Sequence, residues 1–328
     1  MAYGMEEVQR HPHSRQAVVV LHGIRQTRDD IRDPFALEIA RLSPDTNVFV
    51  FGYDHTQHLH NNGLDLANVL NQGSANFDPS AFDEINLVGY SMGGLIARLA
   101  ASDRFNAKLR TVITIATPNK GALGFAHVGA QGYAILKTFH VISPLSPRSA
   151  GIRDLTIASE IMYNRRKYIR SQLQQNSMAD NPVENIRYAS VPALFYHRNR
   201  DPGQLGPSAV LTILQQTFRL ANLVGKAMDN MNKPHDGIVT EDSCDVTRED
   251  ADSISELQLA PNASNGCPAR MHVFHEDHLE QDHSSIVQQQ GFQYTAKLVK
   301  TLLETQNWSD LSGANYALAE GITPKFPH

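Results

Sequence analysis

Cysteine is scarce in this sequence: Cys244 and Cys267 are the only two among 328 residues. That count excludes a scaffold stapled by several disulfides, and one closable pair is compatible with either redox compartment. Long apolar runs are missing too. The longest span only a few residues, against the roughly 20 needed to cross a bilayer. Positive charge is not in excess either. A formal net charge of -5 and a pI near 6.3 leave no basic face of the kind that displaces counterions from nucleic acid, so no nucleic-acid partner is expected. No internal repeat or low-complexity tract occurs, which excludes solenoids and propellers. The first 16 residues carry Glu6, Glu7 and Arg10 and lack the apolar stretch and small-residue cleavage site of a secretory signal. A cytoplasmic location is the expectation this favours.

What the chain does contain is enough apolar sequence, 41% hydrophobic against 19% charged, to bury a sizeable core rather than remain disordered. Short β-branched runs alternate with longer stretches of helical periodicity, the pattern of a mostly parallel sheet covered on both faces. Strands are predicted at 17–21, 47–53, 85–89, 110–116, 192–196 and 270–275. Helices are predicted at 64–70, 92–101, 152–174, 208–228 and 284–303 from apolar recurrence at three- and four-residue steps. The expectation is a single domain over 1–328. Two segments, 123–147 and 203–231, exceed a minimal alternating core and are candidate lid or cap insertions.

The strongest chemical signal is Gly89-Tyr90-Ser91-Met92-Gly93, set between the strand Ile85-Asn86-Leu87-Val88 and a helix that begins at Met92. A G-x-S-x-G turn places its serine on a sharp strand-to-helix bend, with glycines where any Cβ would collide, and stands Oγ at the end of the sheet. A second signal is the buried strand Val18-Val19-Val20-Leu21 ending in His22-Gly23-Ile24. Attack on an acyl carbon needs two backbone N–H groups aimed at the developing oxyanion. Met92, after the serine, supplies one, and Ile24 is the candidate for the other, with Arg25 as the alternative. A third signal is Ala116-Thr117-Pro118-Asn119-Lys120-Gly121 after the next strand.

Taken together, these three motifs from about Ala17 to Gly121 resemble the lipase and esterase branch of the α/β-hydrolase superfamily. That resemblance implies an α/β-hydrolase fold with a helical lid or cap. It also implies a serine nucleophile, Ser91, and a carboxylic ester with a lipid-like acyl chain as substrate, with transient contact at a lipid interface. Acyl transfer to an alcohol and thioester cleavage would use the same triad, while a non-catalytic binding protein on this fold would usually lack one member of it. The family often has His where Tyr90 and Asn119 stand, positions that do no chemistry there.

The catalytic acid must follow Ser91 and precede the base, which leaves Asp201, after the strand at 192–196, and Asp236. The latter sits in His235-Asp236-Gly237-Ile238-Val239, which resembles the acid segment of many lipases, and is favoured. Its chain order rules out His22 as base. Among His272, His275, His278 and His283, the last is favoured because Asp282-His283-Ser284 runs into a long amphipathic stretch, and His278 is second. These histidines at three-residue steps, with Asp277, Glu280 and Asp282, also suggest a metal. Residues three apart on a strand point to opposite faces, however, so no metal or organic cofactor is expected. His55, His58 and His60 are read as a solvated loop.

Overall fold

A computed structural model describes residues 3–24, 26–103, 108–119, 121, 150–155, 186–193, 236, 239, 241–244, 271–273, 283, 286–288, 292–306 and 308. Among these residues seven strands form one sheet: β1 (Gly4–Gln9), β2 (Gln16–Leu21), β3 (Asn47–Gly52), β4 (Glu84–Tyr90), β5 (Leu109–Ile115), β6 (Arg187–Val191) and β7 (Met271–Val273). Their spatial order is β1-β3-β2-β4-β5-β6-β7, parallel throughout except that β1 pairs antiparallel with β3.

The alternation of side chains along each strand builds two apolar layers. From β2, Ala17, Val19 and Leu21 enter one layer while Val18 and Val20 enter the other; β3 divides Phe49 and Phe51 from Val48 and Val50 in the same way. A strand apolar on both faces is stable only when helices cover both. On the first side lie α3 (Leu59–Gln72) and α4 (Met92–Asp103), through Leu66, Leu70, Ile96 and Leu99. On the second lie α1 (Arg28–Ile31), α2 (Leu37–Leu42) and, from near the far end of the chain, α7 (Phe292–Glu304), through Ile31, Ile39, Leu298 and Leu302. Two further short helices lie later in the described chain, α5 (Ala150–Asp154) and α6 (Glu241–Cys244). No helix among the described residues is long and apolar enough to cross a membrane.

Several predicted elements are corrected. The strand expected at 192–196 is β6, five residues earlier at Arg187–Val191. Pro192 has no N–H for a ladder, so the chain leaves the sheet there. The last described helix starts at Phe292, not 284, and residues 286 and 287 lie in a turn before it. The helix at 64–70 extends back to Leu59 with His58 as its N-cap residue. That segment is not a solvated loop. His55 is buried, and His58 Nδ1 lies 3.1 Å from Oδ2 of the fully buried Asp154, which also accepts the Leu59 N–H at 2.9 Å. The candidate insertions 123–147 and 203–231, the helix at 208–228 and most of 152–174 lie outside the described residues, as do Arg25, Asp201, His278 and Cys267.

Strand order fixes where a site can form. The chain passes from β2 to β3 on one side and then returns to β4 on the other, so the loops after β2 and β4 leave the sheet side by side at a topological switch point. Pairing of Leu21 with Gly89 in that register sets His22-Gly23-Ile24 beside Tyr90-Ser91-Met92.

Candidate active site

Ser91 joins β4 to α4 with φ of 51°, a left-handed conformation that costs a non-glycine residue on the order of 1–3 kcal/mol. Glycine makes the bend possible. A Cβ on Gly89 would lie 2.5 Å from the backbone of Gly94, and one on Gly93 would strike the His22 carbonyl. The bend is held by Ser91 N–H donating to Ile115 O at 2.8 Å and by Gly94 N–H donating to Ser91 O at 3.1 Å.

Two distant segments converge on this serine. His283 Nε2 is 2.9 Å from Ser91 Oγ, and His283 Nδ1 is 2.6 Å from Asp236 Oδ2. All three residues are buried. A carboxylate can only accept, so Nδ1 carries a proton and Nε2 of the neutral ring is left to accept the Ser91 O–H. The second carboxylate oxygen, Asp236 Oδ1, accepts the Val239 N–H at 2.6 Å, and the Asp236 N–H donates to Val239 O at 3.0 Å. Both oxygens of a desolvated charge are thus satisfied. The backbone of His283 is held as well, its N–H donating to Asp236 O at 3.0 Å.

The loop after β2 is braced next to this group. The Gly23 carbonyl accepts from His22 Nδ1 at 2.8 Å and from Gln26 N–H at 3.4 Å, while the Gly23 N–H donates to Gln26 Oε1 at 2.8 Å. Across a trans peptide N–H and C=O point in opposite directions, so the pinned Gly23 carbonyl sends the Ile24 N–H away from the His22 ring. A Cβ on Gly23 would stand 3.1 Å from Ser91 Cβ, which measures how closely the loop approaches the serine. Met92 is fully buried at the start of α4, and Ile24 is partly buried.

His22 is a residue whose structural part sequence reasoning missed. Its ring stacks on Tyr53 with centroids 4.0 Å apart and planes within 4°, and its Nε2 accepts the Tyr53 N–H at 3.3 Å. Burial is the main cause that pushes its pKa down from 6.5 to about 4. The sign follows from the neutral form being favoured in the fold: the stability it contributes is present above pH 6.5 and is lost as pH falls toward 4. A gap of that size corresponds to about 3 kcal/mol. Urea midpoints at pH 7 and pH 4.5 should therefore fall further for wild type than for His22→Asn. Equal pH slopes in the two proteins would remove His22 as the cause.

The Ala116-to-Gly121 motif also has a physical task. Buried Arg98 of α4 donates from Nη1 to Asn119 Oδ1 at 2.8 Å, and Asn119 Nδ2 donates to Cys244 O at 2.5 Å. Ser243 Oγ donates to Gly121 O at 2.5 Å. These bonds tie the serine's helix to α6, the segment just beyond Asp236 and Val239. Such long-range ties give no periodic signal in a sequence.

A family model for palmitoyl protein thioesterases matches residues 17–193. The chain belongs to the palmitoyl protein thioesterase family. That match spans β2 through β6, with the braced loop and the serine turn, and ends before Asp236 and His283. Among solved structures the chain is similar to the Bacillus licheniformis lipase BlEst2 in its mature form, at 16% identity and a TM-score of 0.57 over 91% of this chain and 97% of that one. The propeptide form of that lipase aligns at 18% identity and a TM-score of 0.59 over 92% of this chain and 54% of that one. No curated protein matches the chain significantly. Family and fold together make this an α/β-hydrolase of the lipase and esterase superfamily, a hydrolase-fold enzyme acting on esters.

Proposed function

We propose that this protein is a serine hydrolase that cleaves carboxylic esters through an acyl-enzyme on Ser91. One observation carries the reading: the continuous path from Ser91 Oγ to His283 Nε2 at 2.9 Å and from His283 Nδ1 to Asp236 Oδ2 at 2.6 Å. His283 takes the Ser91 proton as Oγ attacks the acyl carbon, and the carbonyl oxygen gains the charge. Ile24 and Met92 N–H groups stabilise that oxyanion. His283 then returns the proton to the leaving alcohol, and water repeats the sequence to release the acid. Asp236 holds the ring in the working tautomer and stabilises its cationic form.

Thioester cleavage is the second reading, favoured by the family to which the chain belongs. It needs no other machinery, because a thioester passes through the same tetrahedral oxyanion. A lipid-like acyl group fits both readings. Each buried methylene is worth about 0.8 kcal/mol, so lengthening an acyl chain from two to eight carbons should raise kcat/KM by about two to three orders of magnitude if most of that burial is realised. The test compares p-nitrophenyl esters with thioesters of the same acids. A rising profile on both supports the proposal. A flat ester profile would mark a small-ester hydrolase, a rise on thioesters alone a dedicated thioesterase, and no turnover on either a binding protein.

A further inference from the structure

Tyr90 links three of the segments that meet at the proposed site: the serine turn, the loop after β2 and the His283 backbone. It immediately precedes Ser91 in the turn. Its ring lies against the braced loop, since a Cβ on Gly23 would stand 2.7 Å from Tyr90 Cε1. Its hydroxyl donates to the backbone carbonyl of His283 at 2.6 Å, and its ring centroid is 5.4 Å from that of His283. Tyr90 is 4% exposed, so the hydroxyl makes this bond shielded from water, where a hydrogen bond is stronger than in bulk solvent.

We infer that Tyr90 is a positioning residue that holds the base in place during the half of the reaction in which Ser91 cannot. This rests on the reading of Ser91 and His283 as nucleophile and base. In the free enzyme the His283 ring is fixed at both ends, by Ser91 Oγ and by Asp236 Oδ2. Once Ser91 is acylated its Oγ has no proton to donate, and the Nε2 end is released. Among the described residues, the hydrogen bonds that remain are Asp236 on Nδ1 and the two backbone ties, N–H to Asp236 O and carbonyl to Tyr90 OH. The Tyr90 tie is the only one of these that runs from the serine's own turn to the base. It therefore sets the distance between acyl carbon and imidazole while His283 activates water.

The consequence is a selective effect on deacylation. Tyr90→Phe keeps the ring and removes only the hydroxyl. Losing one buried hydrogen bond should slow deacylation about tenfold. Acylation, with Ser91 still holding the ring, should be nearly unchanged. With a p-nitrophenyl ester, kcat and KM should fall together, kcat/KM should hold, and a pre-steady-state burst should appear or grow. Tyr90→His, whose ring ends well short of where the phenol oxygen meets the His283 carbonyl, should show the same burst and serves if the phenylalanine variant does not fold. In a His283→Ala background, Tyr90→Phe should produce no further loss, because its effect passes through the base. A lowered melting temperature with wild-type kcat and no burst would overturn the inference and leave a packing role. So would a fall in kcat/KM with deacylation unchanged. Turnover surviving in His283→Ala alone would instead sink the triad reading on which the inference rests.

Discussion

Replacing Ser91 with alanine is expected to lower kcat for ester hydrolysis by about six orders of magnitude while leaving the fold intact. The size follows from what is removed. Without Oγ no acyl-enzyme forms, and the imidazole and carboxylate have no attacking group to activate, so only substrate binding and oxyanion stabilisation remain. The fold should survive because Ser91 contributes its backbone to the turn, through Ile115 O and Gly94 N–H, and these bonds are unaffected by losing a hydroxyl. Alanine also tolerates the left-handed φ of 51° about as well as serine does. More than about 1% residual kcat in a variant with a normal melting temperature would be incompatible with a serine nucleophile at this position.

Asp236→Asn should cost about four orders of magnitude in kcat, through the tautomer of His283 rather than through loss of shape. Asp236 accepts twice, from Val239 N–H at Oδ1 and from His283 Nδ1 at Oδ2, each at 2.6 Å. An amide offers one oxygen. If that oxygen stays on the Val239 N–H, the NH2 group faces His283 Nδ1 and drives the ring proton to Nε2. No lone pair is then left for the Ser91 hydroxyl. Asp201→Asn should cost far less, and kinetics of the two variants under identical conditions decide between them. The reverse ranking would transfer the acid role to Asp201.

How much of this is legible in the sequence depends on which physical constraint is local. The central strands β2, β3 and β4 are legible because burial on both faces demands unbroken apolar runs such as Val18-Val19-Val20-Leu21. The serine turn is legible because its sterics require Gly89 and Gly93 at fixed offsets. Edge elements obey weaker rules. Among the described residues β1, with Glu6 and Glu7, pairs with β3 alone and carries the charge expected of an exposed edge, which hides it from a search for apolar alternation. Inside the sheet, between β5 and β7, β6 is hidden for a different reason: it reads Arg187-Tyr-Ala-Ser-Val, less apolar than the Pro192-Ala-Leu-Phe-Tyr that follows, yet only the former can donate along its whole length. At the site, residue types and chain order narrow the acid to Asp201 or Asp236 and the base to four histidines. The ties made by Tyr90, His22, Gln26 and Asn119 depend on contacts between residues far apart in the chain or on the exact path of a loop, and no spacing rule announces them.

The central claim is that Ser91 is the nucleophile of a working triad, and covalent labelling with a fluorophosphonate, mapped by peptide mass spectrometry, tests it most directly. The account predicts one adduct per chain on the peptide containing Ser91, absent in Ser91→Ala and formed much more slowly in His283→Ala. An adduct on another residue, or ester turnover by a protein that the probe leaves unlabelled, would contradict it.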